Sequence, residues 1–196
     1  MEPNIAGIIE TSSIPFVRRT LPPGGFLVRQ EDSLESIYVL TSGLVKLFRS
    51  ESGGREVLIG LMGGNELLGE VEYFLGEPLF CHIQAVYRTD LLELDYSGFA
   101  ALLDGVPAFR DHLFRSLSAR LRDLSSRTSD AFTLPTDDLL VTLIRENGRR
   151  GISFTRKMYA DYLGVSERSV NRAIRRLAED GVILRDRGRL SVPGGS

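Results

Sequence analysis

Glu167, Arg168, Asn171, Arg172 and Arg175 recur at spacings that place them on one side of a helix, where they offer carboxylate, amide and guanidinium groups. Val170, Ile174 and Leu177 fall on the other side, so the same segment has an apolar face to bury. Such an exposed face suits a DNA major groove. Two short amphipathic helices around a glycine also occur in domains with no nucleic-acid role, and a run of arginines is often only a solvated face. The neighbouring residues narrow that choice. Thr155 can cap a first helix carrying Tyr159, Ala160 and Leu163, Gly164 supplies the left-handed residue that ends it, and Ser166 caps the second helix. Small Ala160 stands where the two helices must cross closely. Gly181 ends the second helix ahead of two short runs, Val182 to Arg185 and Arg189 to Val192, turned at Asp186-Arg187-Gly188. The layout expected is a winged helix-turn-helix with double-stranded DNA as partner.

Charge is divided in the same way. Residues 136–196 hold 12 Lys and Arg against 8 Asp and Glu, a balance of +4, while residues 1–135 hold 12 against 18, a balance of −6 that returns the −2 of the whole chain. The basic part is the part with the motif, and the acidic remainder argues against a general polyanion binder.

Other residues that could do chemistry are few. Cys81 is the one cysteine, which excludes an intramolecular disulfide framework and an iron–sulfur cluster held by several thiolates of this chain. A cupin-like metalloenzyme needs two or three histidines and a carboxylate together, and this chain has only His82 and His112. No phosphate loop, nucleophile elbow or zinc spacing is present, so no catalytic residue, metal site or enzyme activity is expected. Met1-Glu2-Pro3 opens without a basic stretch or a long apolar run, so neither a secretory signal nor a membrane span is expected and the cytoplasm is the natural compartment.

The elements that must position these groups are of two kinds. From Phe16 to Leu94 the chain is built of short apolar or alternating runs: Phe26 to Arg29, Ile37 to Leu40, Leu44 to Phe48, Val57 to Leu61, Ile83 to Tyr87 and Leu91 to Leu94. Gly24-Gly25, Gly43, Gly53-Gly54 and Gly63-Gly64 punctuate them at the spacing of tight turns between antiparallel strands, which predicts a β-roll or barrel over residues 1–106. Ser97 is positioned to cap a short helix through Leu103, and Pro107 to open a much longer one. On that helix Phe109, Leu113, Leu117, Leu121 and Leu124 recur every three or four residues, a stripe narrow enough for a dimer seam or for packing on the β-roll. A dimer is favoured, because paired helices would present two recognition helices about one DNA turn apart. The predicted division is therefore 1–106, 107–133 for the long helix and hinge, and 134–196. Thr136 can cap the helix that follows the Leu134-Pro135 hinge, Asp137 to Asn147. The fold class is α+β.

The order β-roll, long leucine-bearing helix, winged helix resembles the Crp/Fnr family of bacterial transcription regulators over nearly the whole chain. The run from Arg55 to Val71, ending Asn65-Glu66-Leu67-Leu68-Gly69-Glu70-Val71, is similar to the family's signature of a cyclic-nucleotide-binding domain, a double-stranded β-helix. The resemblance implies a cytoplasmic homodimer on a two-fold symmetric operator, with RNA polymerase as a further partner and no membrane. It also implies an effector pocket around Gly69, Glu70, Leu79, Phe80 and Cys81, with Ser125 and Ser126 on the long helix at the position that touches adenine.

The nucleotide site is where this chain departs from the family. Cyclic-AMP-binding members follow Gly-Glu with an Arg-Ser or similar pair whose arginine neutralises the phosphate. Here the matching neighbourhood reads Pro78-Leu79-Phe80-Cys81-His82, and the next arginine is Arg88. A phosphate buried without a cation is costly, so no cofactor is expected and cyclic AMP is not expected to bind unless His82 or a residue from elsewhere supplies the charge. Leu79 and Phe80 either fill the space or line a site for an apolar or uncharged ligand. Haem, which some relatives use to sense gases, would need Cys81 or His82, and adjacent strand residues point to opposite faces.

By the same resemblance Glu167, Arg168 and Arg172 occupy the base-reading positions, with Asn171 a fourth. Arg172 matches an arginine used for guanine, whose O6 and N7 a guanidinium engages together. Arg168 stands where many members carry an acceptor suited to cytosine, so the preferred base at that step should differ. Thr155, Arg156, Lys157, Ser166 and Ser169 are assigned to phosphates, which position the helix without specifying sequence.

Overall fold

Ile37, Tyr38, Val39 and Leu40 are consecutive and all buried, and that double-sided burial of one strand organises the first half of the chain. The computed structural model describes residues 4–52, 54, 56–186 and 188–193; Met1-Glu2-Pro3, Gly53, Arg55 and Arg187, named above, lie outside the described residues. Two compact units divide the chain, residues 1–121 and 122–196.

In the first unit, helix α1 (Ile5–Thr11) precedes strands β1 (Val17–Leu21), β2 (Phe26–Val28), β3 (Ser36–Ser42), β4 (Leu44–Ser50), β5 (Glu56–Gly63) and β6 (Leu67–Leu68). Helix α2 (Glu70–Leu75), strands β7 (His82–Ala85) and β8 (Thr89–Asp95), and helix α3 (Tyr96–Gly105) follow. The strands form two four-stranded sheets, ordered β1-β8-β3-β6 and β2-β7-β4-β5, with every neighbouring pair antiparallel. This is the β-roll. Because side chains alternate along β3, Tyr38 and Leu40 pack with Val45, Leu68, Ile83 and Leu91 between the sheets. Ile37 and Val39 turn the other way, against Ile5 and Ile9 of α1 and Phe99 and Leu102 of α3.

Helix α4 (Pro107–Thr133) has 27 residues, about 40 Å at 1.5 Å per residue. Beyond it lie α5 (Thr136–Arg150), α6 (Arg156–Leu163), α7 (Glu167–Glu179) and the hairpin of β9 (Leu184–Asp186) with β10 (Arg189–Ser191). Val170, Ile174 and Leu177 of α7 bury against Leu140, Leu143 and Ile144 of α5 and Tyr159 and Ala160 of α6. Burial of each aliphatic side chain contributes roughly 1.5–3 kcal/mol, and this small core depends on few of them.

Two expected caps differ from those observed. Asp95, not Ser97, caps α3: its Oδ1 accepts from the Gly98 amide at 2.6 Å and from the Ser97 hydroxyl at 2.8 Å. A carboxylate outcompetes a hydroxyl for the amide at a helix N-terminus, and both hydrogen bonds hold the Asp95 carboxyl below the usual range. Thr136 is the first residue of α5 and not its cap; Pro135 takes that position, and Asp137 and Asp138 place negative charge in the first turn. Among the described residues no helix is long and apolar enough to cross a membrane.

Candidate functional site

Helices α6 and α7 are set against each other by short-range chemistry. Thr155 Oγ1 accepts from the Met158 amide at 3.2 Å to start α6, and Gly164 ends that helix with φ +68°. The Val165 amide then returns to the Ala160 carbonyl at 3.0 Å, and Ser166 Oγ accepts from the Ser169 amide at 3.1 Å to start α7. An L side chain at Gly164 would strain this turn, which fixes the angle between the two helices. Glu167, Arg168, Asn171, Arg172 and Arg175 are all exposed on α7, opposite its buried stripe. Arg176, not singled out in the sequence, binds Asp137 of α5 through Nε at 2.8 Å and Nη2 at 2.6 Å, a two-point contact that ties α7 to α5.

The flanking cations separate into two groups. Lys157 is engaged by Asp161 one turn along α6, at 2.8 Å. Arg156 has no carboxylate partner among the described residues, and burial first, then the nearby Arg185 guanidinium of β9, pushes its pKa down. Two cations left close together are offset when a phosphate comes between them. Arg172→Ala is expected to cost about 1–3 kcal/mol on the preferred site and to relax specificity at one base step. Arg156→Ala should weaken every sequence alike and reduce the salt slope by about one, as titrations over a salt series would measure.

A second site lies inside the β-roll. Gly69 adopts φ +92°, and a Cβ there would sit 2.9 Å from Leu34 Cδ1 and 3.3 Å from the Ser36 carbonyl oxygen. That turn opens α2 with Glu70 pointing inward, 1% exposed. Glu70 lines a cavity of about 260 Å³ together with Gly69, Leu79, Phe80, Cys81 and Arg120. Arg120 comes from α4 and is ion-paired to Glu70 Oε1. The motif reading did not name it, and it is the residue from elsewhere that brings a cation to this cavity. Glu70 Oε2 and Arg120 Nε have no hydrogen-bond partner among the described residues. Burial raises the Glu70 carboxyl above its usual range, with Arg120 opposing the rise.

Leu79 is buried in the wall, whereas Phe80 is half-exposed with the Arg49 guanidinium 4.3 Å from its ring centre, so neither fills the cavity. Ser125 and Ser126 are exposed on α4, and the cavity lining does not include them. Cys81 and His82 separate as neighbours on a strand do. His82 faces away, its Nδ1 accepting from the Gln30 amide at 3.1 Å and its Nε2 3.1 Å from Ser50 Oγ. Burial, reinforced by Glu72, pushes the Cys81 thiol up to about 12. At pH 8 the native thiol should therefore react with iodoacetamide on the order of a thousandfold more slowly than a free cysteine, and at the ordinary rate once unfolded. Equal rates would show that the thiol is not buried.

The stripe on α4 also divides. Phe109 and Leu113 are fully buried in the chain's own core, and Leu117 packs against it. Leu121 and Leu124 are 66% and 55% exposed, and Phe114, outside the predicted stripe, is 60% exposed.

Residues 18–105 match the family described as cyclic nucleotide-binding domain, and residues 138–193 match the Crp-like helix-turn-helix domain. Over 181 residues the chain is 29% identical to the cyclic AMP receptor protein of Thermus thermophilus, covering 90% of this chain and 84% of that protein. It is also 29% identical over 179 residues to the transcriptional activator protein anr of Pseudomonas aeruginosa, covering 84% and 72% respectively. The c-di-GMP responsive global regulator CLP of Xanthomonas campestris superposes with a TM-score of 0.82 at 20% identity, over 97% of this chain and 98% of that one. The catabolite activator protein of Thermus thermophilus aligns over 98% of this chain and 91% of its own, at 26% identity and a TM-score of 0.55. These are regulators, not enzymes.

Proposed function

The chain belongs to the Crp/Fnr family of transcription regulators and carries that family's DNA-binding helix-turn-helix, and we propose that it acts as a homodimer on a two-fold symmetric operator without requiring cyclic AMP. The observation that carries the DNA reading is the exposed face of α7, where Glu167, Arg168, Asn171 and Arg172 stand together above a buried stripe. Exposed leucines at 121 and 124 on α4 support the dimer. The effector reading follows from charge: among the described residues lining the cavity, Arg120 is the one cation, it is already paired to Glu70, and Glu72 and Glu77 add two more carboxylates. A cyclic phosphate would enter against that balance. Such a regulator works in the cytoplasm and acts on transcription through RNA polymerase.

Calorimetry with cyclic AMP on the DNA-free protein tests the effector half of the proposal. No heat of binding at millimolar nucleotide is expected. Micromolar binding that weakens in Glu70→Ala would overturn it.

A further inference from the structure

We infer that the β-roll cavity takes a small apolar molecule that donates a hydrogen bond through an amine or hydroxyl group and carries neither phosphate nor carboxylate. This rests on reading the β-roll as an effector domain that does not depend on cyclic AMP. The starting point is an incomplete pair. Glu70, 1% exposed, accepts from Arg120 at Oε1, and its Oε2 has no donor among the described residues. A buried carboxylate oxygen in that state carries a desolvation cost that a ligand's N–H or O–H would offset. Arg120 does not fully compensate the group, since burial holds the Glu70 carboxyl above its usual range despite the guanidinium beside it.

The rest of the cavity selects against anions and for an apolar body. Among the described lining residues Glu70, Glu72 and Glu77 stand against Arg120, and even with the Arg49 guanidinium on Phe80 beside them the carboxylates outnumber the cations, so the site favours a neutral or cationic guest. Leu47, Ile59, Met62, Leu68, Leu79 and Ile83 supply the walls. About 260 Å³ fits a single ring with a short chain better than a larger ligand. Arg120 Nε, also without a partner among the described residues, has a hydrogen to give, which a ligand hydroxyl oxygen accepts while its own O–H donates to Glu70. The ligand's donor group therefore meets Glu70, whose ion pair with Arg120 ties α2 to α4.

Thermal unfolding of the full chain with four probes at equal concentration tests this: 2-phenylethylamine, 2-phenylethanol, phenylacetate and cyclic AMP. The amine or the alcohol should raise Tm by about 2–4 °C once present at several times its Kd, and Glu70→Gln should abolish the rise. Which of the two acts would distinguish an ammonium from a hydroxyl ligand. A rise with phenylacetate, no rise with either donor, or a rise that survives Glu70→Gln would overturn the inference. A rise with cyclic AMP would instead defeat the reading on which it rests. If Glu70→Gln does not fold, the contrast between the size-matched amine and carboxylate on the unaltered protein decides the matter.

Discussion

Glutamates in place of Leu121 and Leu124 are expected to convert the protein from dimer to monomer and to weaken operator binding by about 100- to 10,000-fold, with both folded units intact. The two leucines are exposed and belong to none of the three buried cores, so charging them should not unfold the chain. In a paired helix each glutamate would lose its water and face its own copy, and like charges in an apolar seam are strongly unfavourable. The DNA effect follows because one winged helix on one half-site lacks the second, tethered contact. Sedimentation velocity would report the mass and circular dichroism the fold. A double variant that stays dimeric would show that α4 is not the seam.

Phe109→Ala, on the same helix, should do the opposite. It is expected to destabilise the β-roll by about 3–5 kcal/mol, the cost of removing a buried aromatic side chain, while leaving the association of the folded protein unchanged. Phe109 is fully buried and meets Phe99 edge to face at 5.8 Å, and Phe99 in turn meets Tyr73 at 4.9 Å. A cavity there removes a member of a packed aromatic row that joins α2, α3 and α4. Urea unfolding would measure the loss. A change below about 1 kcal/mol would place Phe109 in a collapsible site and weaken the division of the α4 stripe between core and surface.

What could be read in the sequence was local. Thr155, Gly164 and Ser166 each act on residues within five positions of themselves, so the helix-turn-helix was visible from spacing alone. Strand β1 was not, because Val17, Arg18, Arg19 and Thr20 are exposed and the strand is held by backbone pairing to β8, which leaves no apolar alternation. Strand β6 has two residues and α2 six, too short to show a period. Arg120 is the instructive omission. It lies fifty positions from Glu70, yet it follows Leu113 and Leu117 at helical spacing, on the face that packs against the β-roll. A charged residue continuing a buried stripe was the available signal. Taking the stripe whole, as a dimer seam or as packing on the β-roll, concealed it, because a periodicity says which residues share a face and not which surface covers each turn.

The most direct test of the central claim is selection of bound sequences from a random duplex pool by the purified protein, with no nucleotide added. Enrichment of an inverted repeat with half-sites about one helical turn apart is the result expected of a homodimer that reads DNA without cyclic AMP. Enrichment of single half-sites, or of an inverted repeat only when cyclic AMP is supplied, would contradict it.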